Sequence, residues 1–241
     1  MQRAIDAAVH KRGVFTLVFH PHGWIRSDQI VELIDYAREK YGRRVKFLNF
    51  HECSERLRSH LLAGQTLRAS DGGDNGVRIL DVNNDGFVDV VIGNDQVRKT
   101  RIWQPKDNRF RDLEFPMPIV TKRKGRRVAT GVRFGVLKES GRASMLVVGD
   151  EHTGGWHFTD SGWQPDQRLT RGLKIIDRDV RTNKGGIDQG VRLRDLDGDG
   201  RCELIAGGPD WQGCFRWDEK AGTWRSLPFA LPANAFITDR E

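Results

Sequence analysis

The sequence predicts a mainly β fold, a partial β-propeller of three four-stranded blades in an open arc, with a small N-terminal α/β segment. Three observations carry this expectation. The tripeptide Gly-Val-Arg begins at Gly76, Gly131 and Gly190, and a frame returning at that interval signals repeat architecture. Each frame holds short apolar runs on either side of a polar loop, as in "VRILDV" and "VDVVIG", which are strand signals. A hairpin with aromatic residues around its turn follows each time, the pattern that cross-strand pairing favours. A four-stranded unit repeated radially is a propeller blade.

The elements follow in order. Within residues 1–65, "MQRAIDAAVHKRG" predicts a helix end, "VFTLVFH" a buried strand and "SDQIVELIDYAREKYG" a helix. "RVKFLNF" then predicts a second strand and "HECSERLRSHLLAG" a closing helix. Ser27 or Asp28 is placed to cap the central helix, whose Ile30, Leu33, Ile34 and Ala37 share one face. Strands alternating with helices predict a parallel sheet. Residues 66–241 hold the blades, at about 71–120, 126–170 and 185–232. In the first, "TRIW" and "RFRDLEF" complete the unit around a "QPKDN" turn. Trp156, Phe158 and Trp163 flank "TDSG" in the second, and Phe215, Trp217 and Trp224 flank "DEKAG" in the third.

The polar loops hold the chemistry. In "GVRLRDLDGDGRCELIAGG", Asp195, Asp197 and Asp199 stand at positions 1, 3 and 5, Gly200 at 6 and Glu203 at 9. Such crowded carboxylates repel unless a cation separates them, and this is the oxygen spacing of a calcium loop. Position 12 is Ala206, so the loop is not an EF-hand, and apolar runs place it between strands. Asp81, Asn83, Asp85, Gly86 and Asp89 repeat the offsets in the first blade, with Ile92 at position 12. The position 7 carbonyl, of Phe87 or Arg201, would complete each shell. Two structural calcium ions are therefore expected. The middle copy keeps Gly141 but has Val136, Lys138, Ser140 and Ser144 at the ligand positions, so no metal is expected there.

From Asp71 to Phe229 these repeats resemble the FG-GAP/VCBS class found in integrin-alpha-type propellers and many bacterial secreted proteins. The resemblance implies calcium in the hairpin between the first two strands of a blade, and a structural or recognition role in a carbohydrate-related, extracytoplasmic protein. The segment "FTLVFHPHGWIRSDQIVELIDYAREKYGRRVKFLNFHE" is similar to the C-terminal end of the NodB-type polysaccharide deacetylase barrel, in which a strand ends in a His-Pro element beside the pocket. His20 and Pro21 match that element, making His20 the candidate catalytic residue. The resemblance implies metal-assisted hydrolysis of an N-acetyl group, with the family's metal-binding Asp and paired histidines expected upstream of Met1. His20, His22 and His51 form a second constellation at the ends of the two predicted strands.

Composition narrows the remaining classes. The 241 residues are 37% hydrophobic and contain no segment apolar enough to span a bilayer, nor an apolar signal-peptide core at the start. An export signal is expected on upstream sequence. Cys53, Cys202 and Cys214 are odd in number and form no CxxC motif; free thiols are favoured over a Cys202–Cys214 bridge. The net charge of +7 and the run "KRKGRR", Lys122 to Arg127, raise nucleic acid as an alternative partner. No aromatic platform accompanies the run, which favours a solvated loop; acidic polysaccharide or another protein would use the same charges. Arg78, Arg133 and Arg192 recur two residues after each repeat glycine, on the strand face opposite the valine. They either line a channel and bind anions or, as is favoured, pair with acids of their own or adjacent blades. Three blades are fewer than a closed ring needs, and "FITDRE" ends where another repeat would begin. Further repeats or a second chain are expected to complete the propeller, and the aromatics of the third blade to lie uncovered until then.

Overall fold

The computed structural model describes residues 1–20, 23–208 and 211–228. It is mainly β, with antiparallel sheets and a few helices, and divides into two compact units, Met1–Ala63 and Gly64–Glu241.

Among the described residues the second unit contains three four-stranded antiparallel sheets, one per Gly-Val-Arg frame. The first is β1 (Val77–Leu80), β2 (Asp89–Gly93), β3 (Arg98–Gln104) and β4 (Arg109–Glu114), paired in that order. A hairpin follows, β5 (Val120–Arg123) with β6 (Arg126–Ala129). The second sheet is β7 (Arg133–Val136), β8 (Ala143–Val148), β9 (Thr153–Thr159) and β10 (Gly162–Pro165). Two small hairpins come next, β11 (Lys174–Ile175) with β12 (Arg178–Asp179), and β13 (Asn183–Lys184) with β14 (Ile187–Asp188). The third sheet is β15 (Val191–Arg194), β16 (Glu203–Gly208), β17 (Trp211–Asp218) and β18 (Thr223–Leu227).

Strand alternation stacks the sheets. On β8, Met145 and Val147 join Val91, Ile102 and Phe115 in one buried core, while Leu146 between them joins Leu193, Leu204 and Phe215 in a second. Successive side chains of a strand point to opposite faces, so the middle sheet lies between two cores. Phe215, Trp217 and Trp224 were expected on an uncovered face. They are instead buried in the second core, turned toward the middle sheet.

The hairpin aromatics recur as edge-on pairs: Trp103 with Phe110, Phe158 with Trp163 and Trp217 with Trp224, at centroid distances of 4.9, 5.3 and 5.3 Å. The last-strand indoles also tie neighbouring repeats together. Trp163 Nε1 donates to Thr100 Oγ1 at 2.8 Å, and Trp224 Nε1 to the Leu169 carbonyl at 2.8 Å. The repeat glycine is needed at the strand entrance. Gly76 has φ +69, and a Cβ there would stand 2.2 Å from the Gly93 carbonyl oxygen.

The "KRKGRR" run, expected to be a loop, is the β5–β6 hairpin. Lys124 and Gly125 both take positive φ, 47° and 79°, the requirement of a two-residue turn whose twist matches its strands.

The first unit is helical: α1 (Gln2–Lys11), α2 (Ser27–Tyr41) and α3 (Phe50–Arg56), the last continued by a π turn over Leu57–Leu61. Ile5, Leu33 and Ala37 are its buried core, with Val9 and Tyr41 packed against them. Asp6 accepts hydrogen bonds from the Tyr36 and Tyr41 hydroxyls at 2.7 and 2.6 Å and from Lys40 Nζ at 3.1 Å. The cap of α2 is Arg26 and not Ser27 or Asp28, the Arg26 amide donating to Gln29 Oε1 at 3.0 Å. In α3, Asn49 and Glu52 form a reciprocal capping box.

The expected α/β character of this unit is not observed. "VFTLVFH" and "RVKFLNF" form no strand among the described residues, and Val14, Val18, Phe19 and Phe47 are exposed. Strand residues leave their backbone groups unpaired unless neighbours complete a sheet, and among the described residues these segments join none.

Candidate metal centre

The two acidic loops share one geometry. Asp81 Oδ2 accepts from the Gly86 amide at 2.7 Å, and Asp195 Oδ2 from the Gly200 amide at 2.9 Å. Asn83 Oδ1 and Asp197 Oδ1 accept from the amides two residues on, at 3.3 Å in both loops. Asp85 Oδ1 and Asp199 Oδ1 accept from the Phe87 and Arg201 amides at 2.9 and 2.8 Å. These short-range bonds curl each loop around its alternate side chains, and the position 6 glycines supply the positive φ of the turn, 80° at Gly86 and 86° at Gly200.

The ninth residue of each loop opens a buried strand and is itself fully buried. Asp89 Oδ2 accepts from the Val82 amide at 3.0 Å, and Glu203 Oε2 from the equivalent Leu196 amide at 2.9 Å. Their second oxygens differ. Asp89 Oδ1 accepts from the Trp103 amide at 2.8 Å, whereas Glu203 Oε1 accepts from Arg216 Nε and Nη2 at 2.8 and 2.6 Å. Arg216 Nη2 also reaches Asp197 Oδ2 at 2.5 Å. Burial pushes the Asp89 carboxyl up to about 6, with the nearby Asp85 and Asp81 charges adding to the rise. Hydrogen bonds to Asp197 and then Glu203 raise the pKa of Arg216.

In the third loop, one oxygen each from Asp195, Asp197 and Glu203 lie within 4.8 Å of one another. Oxygens at 2.3–2.6 Å from calcium stand up to about 5 Å apart across the ion, so this spacing fits a calcium shell. Among the described residues no second trio of acids is so close; in the first loop Asn83 stands where the third has Asp197. Asn83 and Asp85 border a cavity of about 490 Å³, which gives the first loop an approach from solvent.

The middle loop carries none of this. Its Gly141 keeps φ +70, and the Asn84 side chain of the first loop reaches the Ser140 carbonyl at 3.3 Å. At the ninth position Ser144 Oγ is hydrogen-bonded to His157 Nδ1 at 2.7 Å. His157 Nε2 lies 3.3 Å from Asp166 Oδ2 without the alignment of a hydrogen bond, and Asp166 is held by Arg168 at 2.7 Å. Sequence reasoning missed this Ser–His–Asp chain, whose first two members meet only through the register of β8 and β9. Ser144 is 1% exposed, so it is sealed from any substrate. Burial, reinforced by the Lys138 charge, brings His157 down to about 4 against the pull of Asp166.

The three repeat arginines are tied to acids. Arg78 pairs with Asp74 at 2.6 Å and Arg192 with Asp188 at 2.8 Å, each acid also accepting from the repeat glycine's amide. The middle frame has Ala129 where these acids stand, and Arg133 instead reaches Asp188 of the next repeat at 2.8 Å. In the basic hairpin, Arg127 pairs with Asp71 at 3.1 Å and Arg123 with Glu151.

His20 stacks edge-on against Trp24 at 4.6 Å, and His51 lies exposed on α3. Pro21 and His22 lie outside the described residues, as does Phe229 onward. The two strand ends that were to bring the histidines together are not formed. Cys53, Cys202 and Cys214 are free thiols. No helix among the described residues is long and apolar enough to cross a membrane. No protein-family model and no curated protein matches the chain.

Proposed function

We propose that this chain is a calcium-binding repeat protein of the FG-GAP/VCBS type, its three sheets serving as consecutive propeller blades with a structural or recognition role. The observation that carries this is the third loop, where Asp195, Asp197 and Glu203 converge in the same frame that orders the first loop. Asp81, Asn83, Asp85 and Asp89 would hold one ion, and Asp195, Asp197, Asp199 and Glu203 the other, with the Phe87 and Arg201 carbonyls completing the shells. Bound calcium supplies charge neutralisation to a turn whose carboxylates otherwise repel. Oxygen loops of this kind in extracellular modules work at roughly 10⁻⁴ to 10⁻³ M calcium, which suits an extracytoplasmic setting and an acidic polysaccharide or protein partner.

Isothermal titration tests this. Calcium is expected to bind and to raise the melting temperature with the logarithm of its concentration. Asp197→Ala should remove one ion and Ser140→Ala none; no heat of binding at millimolar calcium would refute the proposal. The deacetylase and nucleic-acid alternatives gain no supporting observation. The first rests on His20 and Pro21, and in the second two arginines of the basic hairpin are already committed to carboxylates.

A further inference from the structure

The residue on the third strand of each sheet that faces the ninth loop position differs from repeat to repeat. Asp89 lies opposite Ile102, one residue beyond the pairing of Val90 with Arg101. Ser144 pairs with His157. Glu203 lies opposite Arg216, because Leu204 pairs with Phe215. One cross-strand position therefore sets what each loop meets from inside the sheet.

The three outcomes are chemically distinct. Ile102 is 1% exposed and apolar, so it brings no charge to the first loop, whose buried Asp89 accepts from the Val82 and Trp103 backbone amides. His157 closes on the Ser144 hydroxyl, and the middle loop has Val136, Lys138, Ser140 and Ser144, with no carboxylate, at the positions that hold oxygens in the other two. Arg216 places a guanidinium on Glu203 and Asp197, two of the three acids that converge in the third loop. A guanidinium that donates to two carboxylates does in part what a metal would do, since both are cations holding oxygens that repel.

We propose that Arg216 is a built-in competitor for the third loop, so that the two acidic loops are unequal: the first takes calcium readily, and the third takes it only as Arg216 gives way. Ile102, Arg216 and their shared cross-strand position determine this difference. The inference rests on the calcium reading above and deepens it.

The test exchanges the two residues in the full chain and titrates each variant with calcium, assigning sites with Asp85→Ala and Asp195→Ala. Wild type should bind unequally, the weaker site being the one that Asp195→Ala removes. Arg216→Ile should strengthen that site about tenfold or more, because the ion no longer displaces an internal cation. Ile102→Arg should weaken the first site by a similar factor. Arg216→Ile should also melt lower than wild type in chelator and recover in millimolar calcium, since buried Glu203 then lacks a cation until the ion binds. Should Ile102→Arg fail to fold, the Arg216 arm decides alone. Two equal sites in wild type, or an unchanged third site in Arg216→Ile, would overturn the inference and leave the calcium reading standing. No binding by any variant would overturn both.

Discussion

At the scale of single residues, the ninth loop position shows how one substitution redirects a repeat. Asp89, Ser144 and Glu203 are all buried at the head of a strand, where a polar group must be satisfied or it costs about 1–3 kcal/mol. Two are acids that backbone amides greet, and the third is a hydroxyl paired with an imidazole. The imidazole gives a pH signature. His157 falls from an ordinary 6.5 to about 4, chiefly through burial, so the native state resists its protonation. Above pH 6.5 the residue contributes no pH dependence. Between 6.5 and 4 the unfolded chain takes up a proton that the folded chain does not, so stability falls as pH falls, levelling below about 4. The loss is on the order of 3 kcal/mol. Denaturant unfolding followed across this window should show the decline, and His157→Gln should flatten it; an equal slope in the variant would assign the effect to another group. The sequence displayed Ser144 as a missing ligand. It did not display His157 as its partner, because that pairing exists only once β8 and β9 are in register.

At the scale of elements, the sheets depend on a glycine entrance and an aromatic exit. Gly76 combines a positive φ with 2.2 Å between a would-be Cβ and the Gly93 carbonyl oxygen, so Gly76→Ala must both strain the backbone and displace the neighbouring strand end. Its cost should be on the order of 2 kcal/mol or more by thermal unfolding, well beyond that of Gly125→Ala, where the Cβ meets nothing. At the exit, Trp163→Phe keeps an aromatic ring beside Phe158 but removes the donor that Thr100 accepts. It should cost about 1–3 kcal/mol, for a buried hydroxyl then loses its partner. Trp163→Ala should cost about 3–5 kcal/mol by adding a cavity. If the two substitutions proved equal, the ring would contribute nothing and the hydrogen bond everything. Most of these elements were legible in the sequence, since two-residue alternation and turn residues act locally. The exceptions were segments that looked like strands without a sheet to join, "VFTLVFH" and "RVKFLNF", and a basic run whose Lys124-Gly125 turn makes it a hairpin.

At the scale of the second unit, three sheets enclose two cores, and among the described residues β8 alone of the strands supplies buried side chains to both. Its amides should therefore exchange with solvent more slowly than those of β4, whose residues are mostly exposed. Hydrogen exchange read by mass spectrometry checks this, and equal rates in the two strands would contradict the stacked order. The sequence by itself determined the repeat frame, the strand and turn order within each frame, and the oxygen spacing of the acidic loops, because each depends on residues close along the chain. Only the tertiary structure decided which charges meet. Arg133 passes over its own repeat to Asp188 of the next, and Arg216 crosses a strand to Glu203 and Asp197. Register and stacking bring together groups that sequence distance keeps apart. The local pattern thus spelled two matching acidic loops, and the fold gave one of them an internal cation.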